Sequence, residues 1–299
     1  MIQAITPPII SAEKTIAELR SFGNAYLLRS IMDVDEAFRC ASLLLMHVLD
    51  MTSYSELVIR SREHVSPAVI EHYNALLTRK ANGEPVQYIT GHAPFMDLIL
   101  CVTPGCLIPR PETELLVERV IGHLKRVPGT PVVLDIGTGS GNIAIALAHY
   151  LKNVRIDAID ISAIALEIAH QNACNYGVQH VISFYKSFLF NAVPSEKQYT
   201  VIVSNPPYVA EAELNALQHE LSFEPHEALI AGRDGLATLE EIIESAYARL
   251  EDDGALLLEI GSRHGKRVEK LLKNKGYCNV AIIKDHAQHD RIAFGQKRE

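Results

Sequence analysis

The tetrapeptide Asn205-Pro206-Pro207-Tyr208 follows a short apolar run of the sequence and ends it. Proline has no backbone N–H, so two consecutive prolines cannot continue a strand inside a sheet. Asn205 offers an amide oxygen, Pro206 a carbonyl oxygen whose direction the rigid Pro-Pro unit sets, and Tyr208 an aromatic face that stabilises positive charge. These groups suit a polar binding site, although a plain Asn-Pro turn is an alternative that the four residues alone leave open.

A glycine-rich segment, VVLDIGTGSGNIAIALA, begins as an apolar strand and continues as a helix. Gly137, Gly139 and Gly141 lie at the predicted turn, where glycine permits positive φ and close approach of a ligand. The spacing differs from the G-x-G-x-x-G of a dinucleotide-binding turn, and Asp135 stands just before the first glycine. An acid there suits a ligand with a cationic amino group and a sulfonium better than a pyrophosphate. A glycine-rich turn can also serve packing alone.

Asp160 stands at the end of the next apolar run, about one strand–helix–strand unit after the glycines. A carboxylate in this position can accept hydrogen bonds from the two hydroxyls of a ribose. The alternative is that Asp160 caps the helix that follows. Open α/β sheets bind ligands at the carboxyl ends of adjacent strands, so we favour the ribose role.

Short apolar runs alternate with helical stretches from about residue 131 onward. This alternation predicts an α/β domain with a parallel sheet covered by helices on both faces. The predicted strands are Val132–Ile136, Val154–Ile159, Val181–Phe184, Thr200–Val203, Ala255–Ile260 and Val280–Ile283, and the predicted helices include Ile143–Leu151 and Ala163–Tyr176.

The first part of the chain, from about Thr15 to Lys80, has helical periodicity and no strand-like alternation. Ser66 and Pro67 are predicted to cap and open one helix. We therefore predict a small helical-bundle domain (1–85), a linker with a proline-rich strap before a helix at Glu112 (86–114), and the α/β domain (115–299). The predicted apolar faces are formed by Phe38, Ala41, Leu44, Leu45, Val48 and Leu49, and by Val69, Tyr73, Leu76 and Leu77.

The 299 residues carry a formal net charge of −8, which argues against a dedicated nucleic-acid-binding protein. The five cysteines are scattered without a C-x-x-C pair, and the histidines lack metal-ligand spacing, so we expect free thiols and no metal site. No signal-peptide pattern and no apolar stretch long enough to span a bilayer is present. We therefore expect a cytoplasmic monomer that binds neither membranes nor nucleic acid.

Together, the glycine loop, Asp160 and the Asn-Pro-Pro-Tyr tetrapeptide resemble the class I S-adenosylmethionine-dependent methyltransferases. The resemblance implies a Rossmann-like, mostly parallel seven-stranded sheet with S-adenosylmethionine as the methyl donor. It places the tetrapeptide after the fourth strand, beside the methyl group, and implies methylation of a planar, conjugated nitrogen. The donor-binding residues that it implies are Asp135, Gly137, Thr138, Gly139, Ser140, Gly141, Asp160, Phe188 and Asn205.

Other segments resemble the glutamine methyltransferases of translation release factors, in order over nearly the whole chain. They are GEPVQYITG (83–91), LIPRPETELLVE (107–118), FEPHEAL (223–229), LLLEIG (256–261) and KDHAQHDRIAFG (284–295). That family methylates the glutamine of the Gly-Gly-Gln motif in class 1 peptide chain release factors, and its helical N-terminal domain helps to dock this partner. The resemblance implies catalytic roles for Asn205, Pro206 and Tyr208, and binding of the substrate amide by the same residues together with Pro207.

Two further residues are substrate-site candidates with open alternatives. Arg110 either contacts the donor's carboxylate or locks the strap through an ion pair. Phe223 either walls the glutamine pocket or packs into the core. The chain also departs from the family, which often has Asp-Trp near the adenine where this chain has Ser187 and Phe188. Phe188 can still stack on adenine, whereas Asp97, at a position where the family commonly has Gly, affects only a local turn.

Three other functions compete with this interpretation. A related family methylates a glutamine of a large-subunit ribosomal protein and shares the Ile-Pro-Arg-Pro segment, but the N-terminal segment favours release factors. N-methyltransferases of DNA or RNA bases share the tetrapeptide, but they normally need a basic recognition region. A non-catalytic binder of a nucleotide-like ligand would not need Asn205 and Tyr208.

Overall fold

Residues 14–30, 33–216 and 219–298 are described by a computed structural model. The chain divides into two units, Met1–Gly91 and His92–Glu299. Each unit contains a hydrophobic core of its own.

The described part of the first unit is mostly helical, as predicted. Ser66 accepts a hydrogen bond from the N–H of Val69 and Pro67 is the first helical residue, which confirms the predicted cap. Two two-residue strands also occur here and pair with each other, although the sequence shows no strand-like alternation. Two residues are too few to produce a visible alternation. The elements are β1 (Lys14–Thr15), α1 (Ile16–Leu27), α2 (Val34–Val48), α3 (Tyr54–Ile59), β2 (His64–Val65), α4 (Pro67–Ala81) and α5 (Val86–Thr90).

The core of the first unit is built largely from the predicted apolar faces. Leu44 and Leu77 are fully buried, and the buried Tyr73 donates a hydrogen bond from its hydroxyl to the carbonyl of Ala41 at 2.9 Å. Phe38 was predicted on the same face but is 39% exposed. The Arg20 guanidinium lies 5.2 Å from the Phe38 ring centroid, so a cation covers the ring in place of the core.

The second unit begins with an antiparallel hairpin of β3 (His92–Phe95) and β4 (Leu98–Cys101), where the sequence predicted a linker. At the hairpin turn Met96 has a φ of 54°, and the Asp97 carboxylate accepts a hydrogen bond from the Tyr150 hydroxyl. The hairpin therefore forms with Asp97 in place of glycine.

Seven strands form the main sheet of the second unit. The strands are β5 (Val132–Ile136), β6 (Arg155–Asp160), β7 (Ile182–Lys186), β8 (Tyr199–Ser204), β9 (Leu250–Glu259), β10 (Cys278–Lys284) and β11 (Asp290–Gln296). Their order is β10-β11-β9-β8-β5-β6-β7. β11 alone runs in the direction opposite to that of the other six strands, so the predicted mostly parallel seven-stranded sheet is confirmed.

Helices cover both faces of the sheet, as predicted for an α/β domain. Val133 packs in one hydrophobic cluster with residues of the first three helices of this unit. Its neighbour Leu134 packs in a second cluster with residues of the other two helices of the unit. This alternation follows from the two-residue period of a strand. The helices are α6 (Pro111–Leu124), α7 (Asn142–Tyr150), α8 (Ala163–Asn175), α9 (Ala237–Ala246) and α10 (Gly265–Lys275). Within the described ranges, no helix is both long enough and apolar enough to cross a membrane.

Candidate active site

The glycine loop, Asp160 and Asn205 lie at one edge of the sheet, because each follows or ends a parallel strand there. In the strand register Ile136 is opposite Ile159 on one side and Ser204 on the other. The Ser204 hydroxyl also donates to the carbonyl of Ile136 at 2.7 Å. Ligands of open α/β sheets bind at the carboxyl ends of the strands, which is the edge where these residues meet.

The glycine loop has the backbone that its sequence predicts. Gly137, Gly139 and Gly141 have φ values of 70°, 56° and 85°, in the left-handed region that favours glycine. A side chain at Gly141 would lie 2.7 Å from Ile145 Cδ1 and 3.1 Å from Ala169 Cβ, so that glycine serves packing. A Cβ at Gly137 or Gly139 would meet no atom within 4 Å, so those two glycines leave open space beside the loop.

Two buried polar atoms of this loop lack partners. Asp135 is fully buried, and its Oδ2 accepts a hydrogen bond from the Thr138 hydroxyl at 2.7 Å. Among the described residues, Asp135 Oδ1 and the Ser140 hydroxyl make no hydrogen bond of good geometry. Each buried polar group without a partner costs about 1–3 kcal/mol. A polar ligand at the loop would offset that cost.

We expect Asp135 to make the stability of the protein depend on pH. Burial raises the pKa of Asp135 to about 7, against the hydrogen bond from Thr138. The folded state then binds one proton more than the unfolded state between about pH 4 and pH 7, so the free energy of unfolding falls as pH rises through that range. Urea unfolding at several pH values should show a shallower fall for Asp135→Asn, by up to about 1.4 kcal/mol per pH unit. Equal slopes in the two proteins would contradict the assignment.

Asp160 accepts a hydrogen bond from the glycine loop and does not cap the next helix. Its Oδ2 accepts the N–H of Gly139 at 2.9 Å and its Oδ1 the N–H of Ser162 at 2.9 Å. The N-cap of α8 is Ser162, whose hydroxyl accepts the N–H of Ala165. The cap alternative is therefore wrong. A carboxylate has about four acceptor sites, so Asp160 retains capacity to accept a hydroxyl.

Ser187 and Phe188 follow β7 and differ in how far they are exposed to solvent. Ser187 is buried, and its hydroxyl donates to the carbonyl of Leu189 at 2.8 Å and accepts the N–H of Ala192 at 2.9 Å. Both bonds lie within this short loop, so Ser187 serves local structure. Phe188 is 49% exposed and follows the strand that pairs with β6 at Asp160. An exposed aromatic ring at this edge is available for stacking on a planar ligand.

The four residues of the Asn-Pro-Pro-Tyr tetrapeptide line a cavity of about 220 Å³. Pro206 is buried and the other three are half-buried. Phe223 is half-buried in the 3₁₀ segment His219–Phe223 but is not among the lining residues, whereas Leu221 of the same segment is. The remaining lining residues are Leu107, Arg110, Val209, Ala228 and Leu229.

Arg110 forms an ion pair inside this region. Its Nη2 lies 2.6 Å from Oε1 of Glu224, whose side chain is 2% exposed. The other oxygen of Glu224 accepts the N–H of Ile108 at 3.2 Å. A charge-assisted pair to a buried carboxylate fixes the strap against the segment that contains Glu224, which is the ion-pair alternative stated for Arg110.

A second group of buried side chains lies behind Asn205. Asn205 Nδ2 donates to the Thr113 hydroxyl at 3.0 Å, and this hydroxyl donates to Oε2 of Glu259 at 2.7 Å. The Tyr208 hydroxyl donates to Oε1 of the same carboxylate at 3.4 Å. Burial raises the pKa of Glu259 to about 7 and that of Tyr208 to about 12.

Sequence reasoning did not single out Thr113, Glu224 or Glu259. The sequence does distinguish Glu259, because a carboxylate interrupts the apolar segment LLLEIG at the end of a predicted buried strand. Thr113 and Glu224 lie in two of the segments that carry the family resemblance, but nothing in either segment indicates their partners, which are far away along the chain.

A larger cavity of about 490 Å³ lies at the opposite edge of the sheet. It is lined by residues at the amino ends of the strands, such as Val132 and Arg155, and by Lys152 and Lys197. Parallel sheets bind ligands at their carboxyl ends, so we place the candidate active site in the smaller cavity beside the motifs. In the described part of the chain, no group of three or more His, Cys, Asp or Glu side chains is arranged to hold a metal ion.

Comparisons with known proteins agree with this fold. Residues 112–232 match the family model "Methyltransferase small domain", and residues 19–91 match the model "PrmC N-terminal domain". A solved structure of the hMettl16 catalytic domain, in complex with the MAT2A 3'UTR hairpin 6, is similar in fold with a TM-score of 0.53 and 18% identity. That similarity covers 67% of this chain and 75% of the other. The fold and the matching family models identify the chain as a class I methyltransferase.

Curated relatives identify the family within that class. A release factor glutamine methyltransferase of Neisseria gonorrhoeae is 39% identical over 256 residues, which cover 86% of this chain and 92% of that protein. One of Pasteurella multocida is 33% identical over 300 residues, covering 94% and 99% of the two chains. The chain belongs to the release factor glutamine methyltransferase family.

Proposed function

We propose that this chain transfers a methyl group from S-adenosylmethionine to the side-chain amide nitrogen of the glutamine in the Gly-Gly-Gln motif of class 1 peptide chain release factors. The observation that carries the proposal is the cavity lined by Asn205, Pro206, Pro207 and Tyr208 at the carboxyl edge of the sheet, beside the glycine loop. Family membership supports this substrate over a ribosomal-protein glutamine, because the relatives are named for release factors.

The chemistry explains why such a site needs fixed acceptors. An amide nitrogen is a poor nucleophile because its lone pair is delocalised into the adjacent carbonyl. In the proposed reaction, Asn205 Oδ1 and the Pro206 carbonyl accept the two N–H groups, which orients the nitrogen and stabilises the positive charge that builds on it. Tyr208 supplies an aromatic face for the same charge. The proton can leave to water after the transfer, so these residues act by positioning and not as a strong base.

The residues around the glycine loop fit the methyl donor. Bound S-adenosylmethionine supplies a methyl group already activated by a sulfonium. We assign the ribose hydroxyls to the carboxylate of Asp160 and the adenine to the exposed ring of Phe188. The unpaired atoms of Asp135 and Ser140 mark a polar environment beside the open space at Gly137 and Gly139.

Asp160→Ala should weaken donor binding by about 10- to 100-fold, because two hydrogen bonds to a charged acceptor are lost. Asp160→Asn keeps one acceptor oxygen and should bind with an affinity between those of the wild type and the alanine variant. Isothermal titration calorimetry with S-adenosylmethionine measures all three affinities. Equal affinities in the three proteins would remove Asp160 from the donor site.

We also propose that the helical unit docks the release factor. Deleting residues 1–91 removes that unit and leaves the glycine loop, Asp160 and the tetrapeptide in place. We expect donor affinity to survive and methylation of an intact release factor to collapse, mostly through a higher KM. Circular dichroism and donor titration verify that the truncated chain is folded. A folded, donor-binding truncation that methylates the release factor at the full-length rate would contradict the docking role.

The same proposal places the protein in the cytoplasm as a monomer that acts on protein. The net charge of −8 supports a protein substrate over nucleic acid. Incubation of the purified enzyme and labelled donor with a release factor, a ribosomal-protein fraction and total RNA separates these substrates. Label in the release factor alone supports the proposal, and label in either of the others contradicts it.

A further inference from the structure

The Asn205 amide is hydrogen-bonded to Thr113, and Thr113 to Glu259, and neither of these two residues lines the cavity. Both are fully buried, and they lie 146 positions apart in the sequence. Thr113 is on the first turn of α6, Glu259 is the last residue of β9, and Asn205 follows β8. Three separate elements therefore converge behind the tetrapeptide.

The number of available protons fixes the direction of each hydrogen bond in this group. An ionised carboxylate can only accept hydrogen bonds. The one hydroxyl proton of Thr113 is therefore used in the 2.7 Å bond to Glu259. The Thr113 oxygen can then only accept from Asn205. Its partner must be the Nδ2 of Asn205, at 3.0 Å, and not the Oδ1. The amide oxygen of Asn205 is left to face away from Thr113.

We propose that Thr113 and Glu259 are positioning residues that hold the Asn205 amide with its oxygen toward the substrate. This inference rests on the proposed function, in which Asn205 Oδ1 accepts an N–H of the substrate amide. A reversed Asn205 would present an NH₂ group to the substrate N–H groups and could not hold them. The Tyr208 hydroxyl, on the second oxygen of Glu259, ties the other end of the tetrapeptide to the same carboxylate.

The protonation state of Glu259 decides whether this orientation is maintained. Burial, with a smaller contribution from Glu112, raises the pKa of Glu259 to about 7, whereas the Thr113 and Tyr208 hydroxyls and the charge of Arg291 oppose that rise. A protonated Glu259 can donate to the Thr113 oxygen, which frees the hydroxyl proton of Thr113 for Asn205 Oδ1. The direction of the bonds then reverses. Turnover should fall as pH decreases through about 7.

The first test compares Thr113→Val with Thr113→Ser. Valine has nearly the shape of threonine but no hydroxyl, so it removes the preference for one amide orientation, and we expect kcat to fall about tenfold or more with little change in donor affinity. Serine keeps the hydroxyl and should restore most of the turnover. Thermal unfolding and donor titration show whether each variant is folded. If folded valine and serine variants turn over equally fast, the inference is overturned.

The second test uses the pH dependence of kcat, which a merely structural role would not alter. The wild type should lose turnover as pH falls through about 7, and this acid limb should disappear in Glu259→Gln and in Thr113→Val. The glutamine amide can donate or accept at any pH, so it cannot select one direction. An acid limb that persists unchanged in Thr113→Val would overturn the inference, as would a flat wild-type profile.

Failure of the inference and failure of the proposed function give different results. If the wild type methylates a release factor and the Thr113 variants are equal, only the positioning role fails. If the wild type transfers no methyl group to any release factor, the proposed function itself fails.

Discussion

Replacing Asn205 by alanine should reduce kcat on a release factor by about 100- to 1,000-fold, which is the usual effect of removing one preorganised polar group from a reacting centre. The amide loses its side-chain acceptor, and Thr113 loses the donor at 3.0 Å. Donor binding should stay measurable, because Asp160 and the glycine loop remain. Steady-state kinetics and calorimetric titration of S-adenosylmethionine separate the two effects.

A matched asparagine provides the control for this result. Asn153 is exposed and lies at the opposite edge of the sheet, so Asn153→Ala should change neither kcat nor donor affinity. Full turnover by Asn205→Ala would remove Asn205 from the mechanism. Loss of donor binding in proportion to turnover would assign it to the donor site alone.

Gly235→Ala should displace the backbone of Tyr208, the last residue of the tetrapeptide. Gly235 has a φ of 74°, and a Cβ there would lie 3.0 Å from the carbonyl carbon of Tyr208 and closer still to its oxygen. Backbone atoms cannot move aside as a flexible side chain can, so the segment that contains Tyr208 must shift. A displacement of about 1 Å at a reacting centre can cost about 100-fold in rate, and we expect a loss of that order in kcat.

Gly232→Ala separates this effect from backbone strain. Gly232 has a similar φ of 69°, but a Cβ there would meet only Ala237 Cβ at 3.4 Å. Both variants should lose about 1–2 kcal/mol of stability from the left-handed backbone. Only Gly235→Ala should lose turnover beyond what the stability loss explains. Thermal unfolding and kinetics on the two folded variants test this, and equal kcat values would contradict the proposed contact.

The parts of the fold that the sequence predicted are those determined by local patterns. The runs Val132–Ile136 and Thr200–Val203 are apolar enough to be buried on both faces, and both are strands in the structure. The glycine loop was also predictable, since its φ values of 56° to 85° favour glycine at three positions. β11 was missed because its apolar run, Ile292 to Phe294, is only three residues long and is flanked by polar residues and a glycine.

The parts that sequence reasoning missed depend on contacts between distant residues. Arg110 and Glu224 are 114 positions apart, and nothing in either local segment indicates their pairing. Phe38 fits an apolar helical face by its spacing, but Arg20 reaches its ring and keeps it at the surface. Leu221, and not Phe223, lines the cavity, and both lie in the 3₁₀ segment His219–Phe223, which the sequence did not indicate.

The most direct test of the central claim is peptide mass spectrometry of an intact class 1 release factor after incubation with the purified enzyme and S-adenosylmethionine. A second release factor, in which the glutamine of the Gly-Gly-Gln motif is replaced by glutamate, serves as the matched control. We predict one added methyl group on that glutamine in the first protein and none in the second. A methyl group on another residue, or an unmodified release factor beside an enzyme that binds the donor, would contradict the proposed function.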